Sequence, residues 1–82
     1  MLHYLDIDDE DVRKFHLKVV ENVKRIRKEK NITQTDLSQT IGHKSVSTIG
    51  KIEANIENKH YNLEQLYKIS IALDVDVCEF FR

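Results

Sequence analysis

The sequence predicts an all-α protein, built as a bundle of five helices. Proline is absent, there are two glycines, and no segment alternates polar and apolar residues as a strand would. Apolar residues instead recur at spacings of three and four, which is typical of helices with one buried face. A composition of 40% hydrophobic and 33% charged residues favours a compact fold over disorder. At 82 residues, we expect a single domain, residues 1–82.

The first helix is predicted to begin at an aspartate cap, Asp8 or Asp9, and to run to about Lys30. Acidic residues fill its first turn and basic residues its last, which matches the helix dipole. Asn31 can adopt the left-handed conformation that ends a helix. The predicted apolar stripe comprises Val12, Phe15, Val19, Val23 and Ile26.

Two short helices follow in residues 33–54. Thr33 is the predicted cap of helix 2, with Asp36 at the capping-box offset, and Gly42 ends it. Ser45 is the predicted cap of helix 3, which runs through Ala54. The inward residues are predicted to be Leu37, Ile41, Ile49 and Ile52, with Ile56 as a further candidate.

The second half of the chain predicts a polar loop over 55–62 and two more helices. Helix 4 begins at Asn62, with Gln65 at the capping-box offset, and Asp76 caps a short helix 5. Cys78, beside two phenylalanines, is predicted to be a small buried residue. The stripe of helix 4 comprises Leu63, Leu66, Ile69 and Leu73, and helix 5 adds Val77, Phe80 and Phe81.

Charge is unevenly distributed, although the net charge is only −1. Residues 24–59 hold eight bases and four acids, whereas the segments on either side are acidic. A local positive field favours a polyanionic partner more than the total charge suggests. The single cysteine fits a reducing compartment, and the acidic N-terminus is unlike a secretion signal. No apolar run approaches the ~20 residues of a membrane span. We therefore expect a cytoplasmic protein with no membrane partner.

Helix 3 leaves a small and polar face unexplained by the core. Helices this short are marginal alone, so helices 2 and 3 must pack on helices 1 and 4. The remaining face of helix 3 carries Val46, Ser47, Gly50 and Lys51. Such a face suits a major groove, whose base edges offer donors, acceptors and thymine methyls. Double-stranded DNA is therefore the predicted partner.

Three segments, RIRKEKNITQTDLSQTIG, STIGKIE and LYKISIALDVD, resemble the helix-turn-helix regulators called the XRE or Cro-repressor family. The resemblance covers roughly residues 20 to 80. It implies a five-helix bundle of the lambda-repressor type that binds operator DNA as a dimer and regulates transcription. It implies no enzymatic activity and no cofactor.

The resemblance also implies roles for individual residues. Gln34 matches the family glutamine that holds a DNA phosphate and braces the recognition helix. Val46, Ser47 and Lys51 match positions that reach base edges, while Arg27 and Glu53 match a structural pair between helices 1 and 3. The candidate backbone contacts around helix 3 are Lys44, Ser45, Asn58 and Lys59, with His60 as a further candidate.

The sequence departs from the family pattern in three places. The turn GHKS, residues 42–45, is one residue longer than usual, which affects the entry angle of helix 3. Gly50 replaces a better helix former, and either close approach to DNA or tight helix packing explains it. Residues 1–19 extend helix 1 with acidic charge, and they either support dimerisation or cover the core.

Other functions remain open at this point. There are three alternatives. The first is an antitoxin or other module whose main partner is a protein, with DNA binding for autoregulation. The others are a controller of a restriction–modification operon and a scaffold without DNA affinity. Catalysis is not predicted, because no nucleophile motif or phosphate loop is present. The four histidines are scattered and suggest no metal site, and no small-molecule ligand is evident. The apolar pair Phe80 and Phe81 predicts a homodimer through helix 5, with helix 1 as a second candidate.

Overall fold

The computed structural model describes residues 6–42 and 46–82, and in these ranges the chain is all α with no strand. Four α-helices follow one another: α1 (Asp9–Glu29), α2 (Gln34–Thr40), α3 (Val46–Glu53) and α4 (Leu63–Leu73). Two 3₁₀-helices span Ile56–Asn58 and Val77–Phe81. The helices in the described ranges are all too short or too polar to cross a lipid bilayer. That residues 1–82 form one domain stays a prediction.

The predicted caps explain where three of the helices begin. The side chains of Asp8 and Thr33 accept hydrogen bonds from backbone amides in the first turns of α1 and α2. Asn62 and Gln65 form the complete capping box of α4, with both bonds 2.7 Å long. Asn31 takes the expected left-handed conformation after α1, as does Gly42 after α2. Each of the cap hydrogen bonds pairs a backbone amide at the start of a helix that has no partner within the helix.

The predicted five-helix count is not confirmed, because the last element is a 3₁₀-helix. Asp76 caps it as expected, with its carboxylate accepting from the amide of Cys78 at 2.8 Å. The element has only five residues. Few i→i+4 bonds can form over that length, and short helical segments commonly adopt the tighter 3₁₀ pattern.

The core lies where α1 meets the two short helices, α4 and the last 3₁₀-helix. Seven of the eight inward residues predicted for helices 2 to 4 are buried: Leu37, Ile41, Ile49, Ile52, Leu66, Ile69 and Leu73. Val19, Val23 and Ile26 contribute from α1. Phe80, with no exposed surface, closes the core from the last 3₁₀-helix. Phe80, one of the two phenylalanines predicted to form the dimer interface, is therefore buried inside the monomer.

Several residues predicted to be buried are exposed. Val12 and Phe15 lie on the expected stripe of α1 but are 44% and 52% exposed, because the core begins only at Val19. Leu63 is 78% exposed because it shares the outward face of α4 with Tyr67 and Ile71, four and eight residues later. Ile56 is exposed beyond the end of α3. Cys78, predicted to be buried, is also exposed, in the first turn of the last 3₁₀-helix.

The last 3₁₀-helix is fastened to α1 by polar and aromatic contacts. The side-chain amide of Asn22 donates to the carbonyl oxygens of Phe80 and Arg82, at 3.0 and 2.9 Å. The rings of Phe15 and Phe81 stack with their centroids 6.2 Å apart. Sequence patterns did not predict the Asn22 contact, because its partners are backbone atoms far along the chain.

Candidate nucleic-acid interface

Helix α3 is held by its inner face and exposes the opposite one. Ile49 and Ile52 are buried in the core, and Glu53 is buried beside α1. Ser47 and Lys51, four residues apart on the helix, are exposed. The helix therefore presents a hydroxyl and an ammonium side by side, as the sequence predicted.

The inner end of α3 is fixed by a buried ion pair. The guanidinium of Arg27 donates from Nε to Oε2 of Glu53 at 2.7 Å and from Nη2 to Oε1 at 2.8 Å. Its Nη1 donates to the carbonyl oxygen of Ile32 at 2.6 Å. Each of the two charged residues is only 6% exposed. This two-point contact fixes the orientation of α3 against α1 and against the turn before α2.

Gln34, the first residue of α2, joins the same cluster. Its Nε2 donates to Oε1 of Glu53 at 3.0 Å. Burial alone would raise the pKa of Glu53, but the hydrogen bonds from Arg27 and Gln34 and the charges of Arg27 and Lys24 outweigh it. The net effect lowers the pKa below its ordinary value, so Glu53 is ionised at neutral pH. Gln34 thus contacts α3 through the carboxylate at the end of that helix.

Gly50 lies directly against Gln34. A Cβ atom added at Gly50 would approach Oε1 of Gln34 to 3.3 Å, which is tighter than most side-chain contacts. Close packing between α2 and α3 is therefore sufficient to explain the glycine. Of the two explanations that the sequence left open, this geometry favours helix packing.

A cleft of about 260 Å³ lies beside this cluster, between α1, the first turn of α2 and the C-terminal half of α3. Its lining includes Gln34 and Gly50, together with Lys24 and Lys28 from α1. These two lysines are one turn apart and flank Arg27. The sequence marked them only as part of a basic run. Their spacing on one face of a helix leading to the helix-turn-helix was the signal that could have singled them out.

The other predicted contact residues are only partly described. Lys44 and Ser45 lie outside the described residues, and Val46 is the first residue of α3. Asn58 and Lys59 are exposed in the α3–α4 loop, defined as residues 54–62. The next residue, His60, is also exposed, and its ring stacks on that of His16 in α1. In residues 6–42 and 46–82, no three histidine, cysteine or acidic side chains are grouped closely enough to hold a metal ion.

Comparison with known protein families identifies α2 and α3 as part of a helix-turn-helix domain. A helix-turn-helix family model, of the XRE or lambda-repressor-like type, matches residues 23–80. The chain belongs to this helix-turn-helix family. The match covers well over half of the sequence and includes α2, α3, α4 and the last third of α1. Members of this helix-turn-helix family are DNA-binding regulatory domains and are not typically enzymatic. No curated protein and no solved structure matched the chain in the corresponding searches.

Proposed function

We propose that this helix-turn-helix protein is a sequence-specific transcriptional repressor that binds a palindromic operator as a homodimer. The observation that carries the proposal is the exposed Ser47–Lys51 face of α3, next to the cleft lined by lysines from α1. A helix in this position can enter a major groove while its neighbours contact the backbone. Both contacts are needed, because base contacts give specificity and phosphate contacts fix the register.

Base recognition is assigned to α3. Lys51 suits the O6 and N7 acceptors of guanine, and Ser47 can bond to several base edges. Val46, at the start of the same helix, has methyl groups that suit thymine. The buried Arg27–Glu53 pair limits rotation of α3, so these residues act from a fixed surface.

Backbone contacts are assigned to the cleft and its surroundings. Lys24 and Lys28 supply charge toward a phosphate, and Gln34 supplies an amide group at the edge of the same cleft. Asn58 and Lys59, in the loop after α3, are assigned to a second phosphate. Lys44 and Ser45, which precede α3 in the sequence, are the remaining candidate backbone contacts. These groups carry no sequence information themselves but position the reading helix.

Dimerisation is assigned to the aromatic surface formed by Phe15 and Phe81. Phe81 is 38% exposed and Phe15 more than half exposed, although the two rings already stack on each other. A second copy would cover both rings in a self-complementary contact. Two recognition helices related in this way would read half-sites about one turn of DNA apart.

Selection of bound DNA from a random pool, repeated at two salt concentrations, tests the proposal. We expect a palindrome with two half-sites, and an affinity that falls steeply with salt, by about 0.9 log units per log unit of salt for each neutralised phosphate. Enrichment of no sequence would contradict specific binding. Enrichment of a single site without two-fold symmetry would contradict binding as a homodimer.

Two substitutions, each measured against the selected DNA site, distinguish base recognition from backbone contact. Lys51→Ala should relax preference at one base position, with a loss of about 1–3 kcal/mol for the preferred base. Lys28→Ala should weaken all sequences alike and reduce the salt slope by about one. Lys14→Ala, which removes the same charge about 21 Å away along α1, is the matched control. An equal effect of all three substitutions would contradict the assignment.

Binding of a protein partner, as in an antitoxin, is the second candidate function. Its support is a cleft of about 710 Å³ between the end of α2 and α4, lined by the exposed side chains of Tyr67 and Ile71. The occupant would be an apolar segment of the partner protein. Repression of a reporter by wild type and by Ile71→Lys, with and without a co-expressed candidate partner, tests this role. Repression that the partner changes in wild type but not in Ile71→Lys would support the antitoxin, whereas equal repression in all four cases would favour the regulator.

A further inference from the structure

Two histidines from distant parts of the chain lie face to face. The ring centroids of His16, on α1, and His60, in the α3–α4 loop, are 3.6 Å apart, and the ring planes differ by 10°. Because the two rings are stacked and nearly parallel, the in-plane lone pairs of their nitrogens do not point to a common position. The pair is therefore not arranged to bind one metal ion. It is arranged as a stack that is favourable only while at least one ring is neutral.

The loop held by this stack has an unfavourable backbone conformation. Asn55, Glu57 and Asn58 all have φ near +55°, in the left-handed region. Asparagine tolerates this region, but Glu57 does so at a cost. Such a conformation persists only where neighbouring contacts enforce it.

Two consecutive residues at the end of the loop, His60 and Tyr61, make the contacts that hold this backbone conformation. His60 stacks on His16, and Tyr61 is buried in the core with its hydroxyl enclosed. Burial, and secondly the negative charge of Glu53, raise the pKa of Tyr61 well above its ordinary value. Tyr61 therefore stays neutral under all ordinary conditions. The imidazole pair is the part of this anchor that changes charge near neutral pH.

We propose that the His16–His60 stack is a proton-sensitive clamp on the α3–α4 loop, which holds at neutral pH and opens when both rings are protonated. One proton on the pair leaves the stack attractive, because a cation over a neutral aromatic ring is still favourable. A second proton places two like charges in contact and separates the rings.

The groups around the stack do not offset this repulsion. On α1, Arg13, one turn before His16, is paired with Glu10 at 2.6 Å. In the loop, Lys59 has the same sign as a protonated imidazole, and the exposed carboxylate of Glu57, three residues before His60, does not contribute to the pKa shift of His16. On the last 3₁₀-helix, Glu79 is paired with Arg82 at 2.7 Å, and from α3 Glu53 is engaged by Arg27.

The direction of the pH effect follows from His16. Burial, and secondly the charge of His60, lower its pKa below the ordinary value of 6.5. A group whose pKa is lowered by folding resists protonation in the closed state. The clamp therefore contributes fully above pH 6.5 and is lost as pH falls from there through the lowered pKa. If the proposed DNA contacts of Asn58 and Lys59 are correct, acidification would weaken DNA binding through this loop.

Hydrogen exchange of the full chain tests the clamp without DNA. The amides of Asn55 and Lys59 are bonded to the carbonyl oxygens of Ile52 and Ile56, so their exchange reports loop opening. After correction for intrinsic pH dependence, we expect opening to increase about fivefold between pH 7.5 and 5.0. This is the factor for two unit charges about 4 Å apart in water. Buried amides of α4 should show no such increase.

His16→Phe supplies the decisive comparison, since phenylalanine can stack on His60 but cannot be protonated. We expect its loop to remain equally closed at both pH values. The reverse replacement, His60→Phe, keeps the stack if the first variant folds poorly, and should give the same result. An increase in wild type that persists in both variants would overturn the proposal, as would pH-independent opening in wild type. Both outcomes are measured on the free protein, so they do not depend on whether the protein binds DNA.

Discussion

Arg27 of α1 and Glu53 at the end of α3 are joined by two parallel hydrogen bonds, although 26 residues separate them in the chain. The pair is buried, and Gln34 adds a third hydrogen bond to the same carboxylate. Three helices therefore meet at one ionised group. This junction determines how α3 is presented, because it ties the end of the helix to both α1 and α2.

Removal of Arg27 should destabilise the fold strongly. Arg27→Met leaves the buried carboxylate of Glu53 without its main partner, and the expected loss is about 3–5 kcal/mol in the free energy of unfolding. Urea denaturation followed by circular dichroism measures it. The double variant Arg27→Met/Glu53→Leu should recover much of the loss, because no charge is then left unpaired. An equally large loss in the double variant would contradict this account of the pair.

Stability should depend on the charge of Glu53 at acid pH. Its pKa is lowered from the ordinary value of 4.5, so the folded state binds this proton more weakly than the unfolded state. The stabilisation is present above about pH 4.5 and is lost as pH falls through the lowered pKa. Unfolding free energies of wild type and Glu53→Gln, measured between pH 3 and 6, should converge toward low pH. A constant difference over that range would contradict the predicted dependence.

The contact between Gly50 and Gln34 should appear as coupling between two substitutions. Gly50→Ala gains up to about 1 kcal/mol in helix propensity, but its Cβ atom would press on Oε1 of Gln34. The gain should therefore be reduced in wild type and complete when Gln34→Ala is already present. Urea denaturation of the four proteins of this double-mutant cycle gives the coupling energy. Equal gains in the two backgrounds would show that the contact imposes no constraint.

The self-association assigned to the aromatic surface should be lost on Phe81→Asp. A partly exposed ring tolerates this change in the monomer better than the fully buried Phe80 would, and circular dichroism checks that the fold persists. Sedimentation equilibrium should then give a dimer for wild type and a monomer for the variant. Leu63→Asp, an equally polar change on the exposed face of α4, is the control and should remain dimeric. A monomeric wild type, or a monomer only for the control, would contradict the proposed surface.

The positions of the helices could be predicted from the sequence because their causes are local. Asp8, Thr33 and Asn62 bond to amides two or three residues away, so each cap is visible in a short window. The buried stripes of α2 to α4 follow from helical periodicity in the same way. Leu63 was misassigned because three-residue spacing to Leu66 does not distinguish an inner from an outer face at the first turn of a helix.

The details of the site depend on contacts between distant segments, which periodicity cannot supply. The resemblance to the family paired Arg27 with Glu53, but the carboxylate bond of Gln34 depends on the crossing of α2 and α3. The spacing of Lys24 and Lys28 places them on one face of α1, but their position beside Gly50 follows only from the packing of α1 on α3. The stack of His16 on His60 likewise needs the path of the whole α3–α4 loop. These relationships are set by packing, so no short window of sequence contains them.

The central claim is that α3 presents its Ser47–Lys51 face to the DNA duplex. A nuclear magnetic resonance titration of isotope-labelled protein with its selected DNA site tests this most directly. The account predicts that the largest amide shifts, and intermolecular contacts to base protons, occur at residues 46–51. Smaller changes should appear near Lys28 and Gln34. Base contacts centred on α4 or on the first half of α1, with residues 46–51 unchanged, would contradict the account.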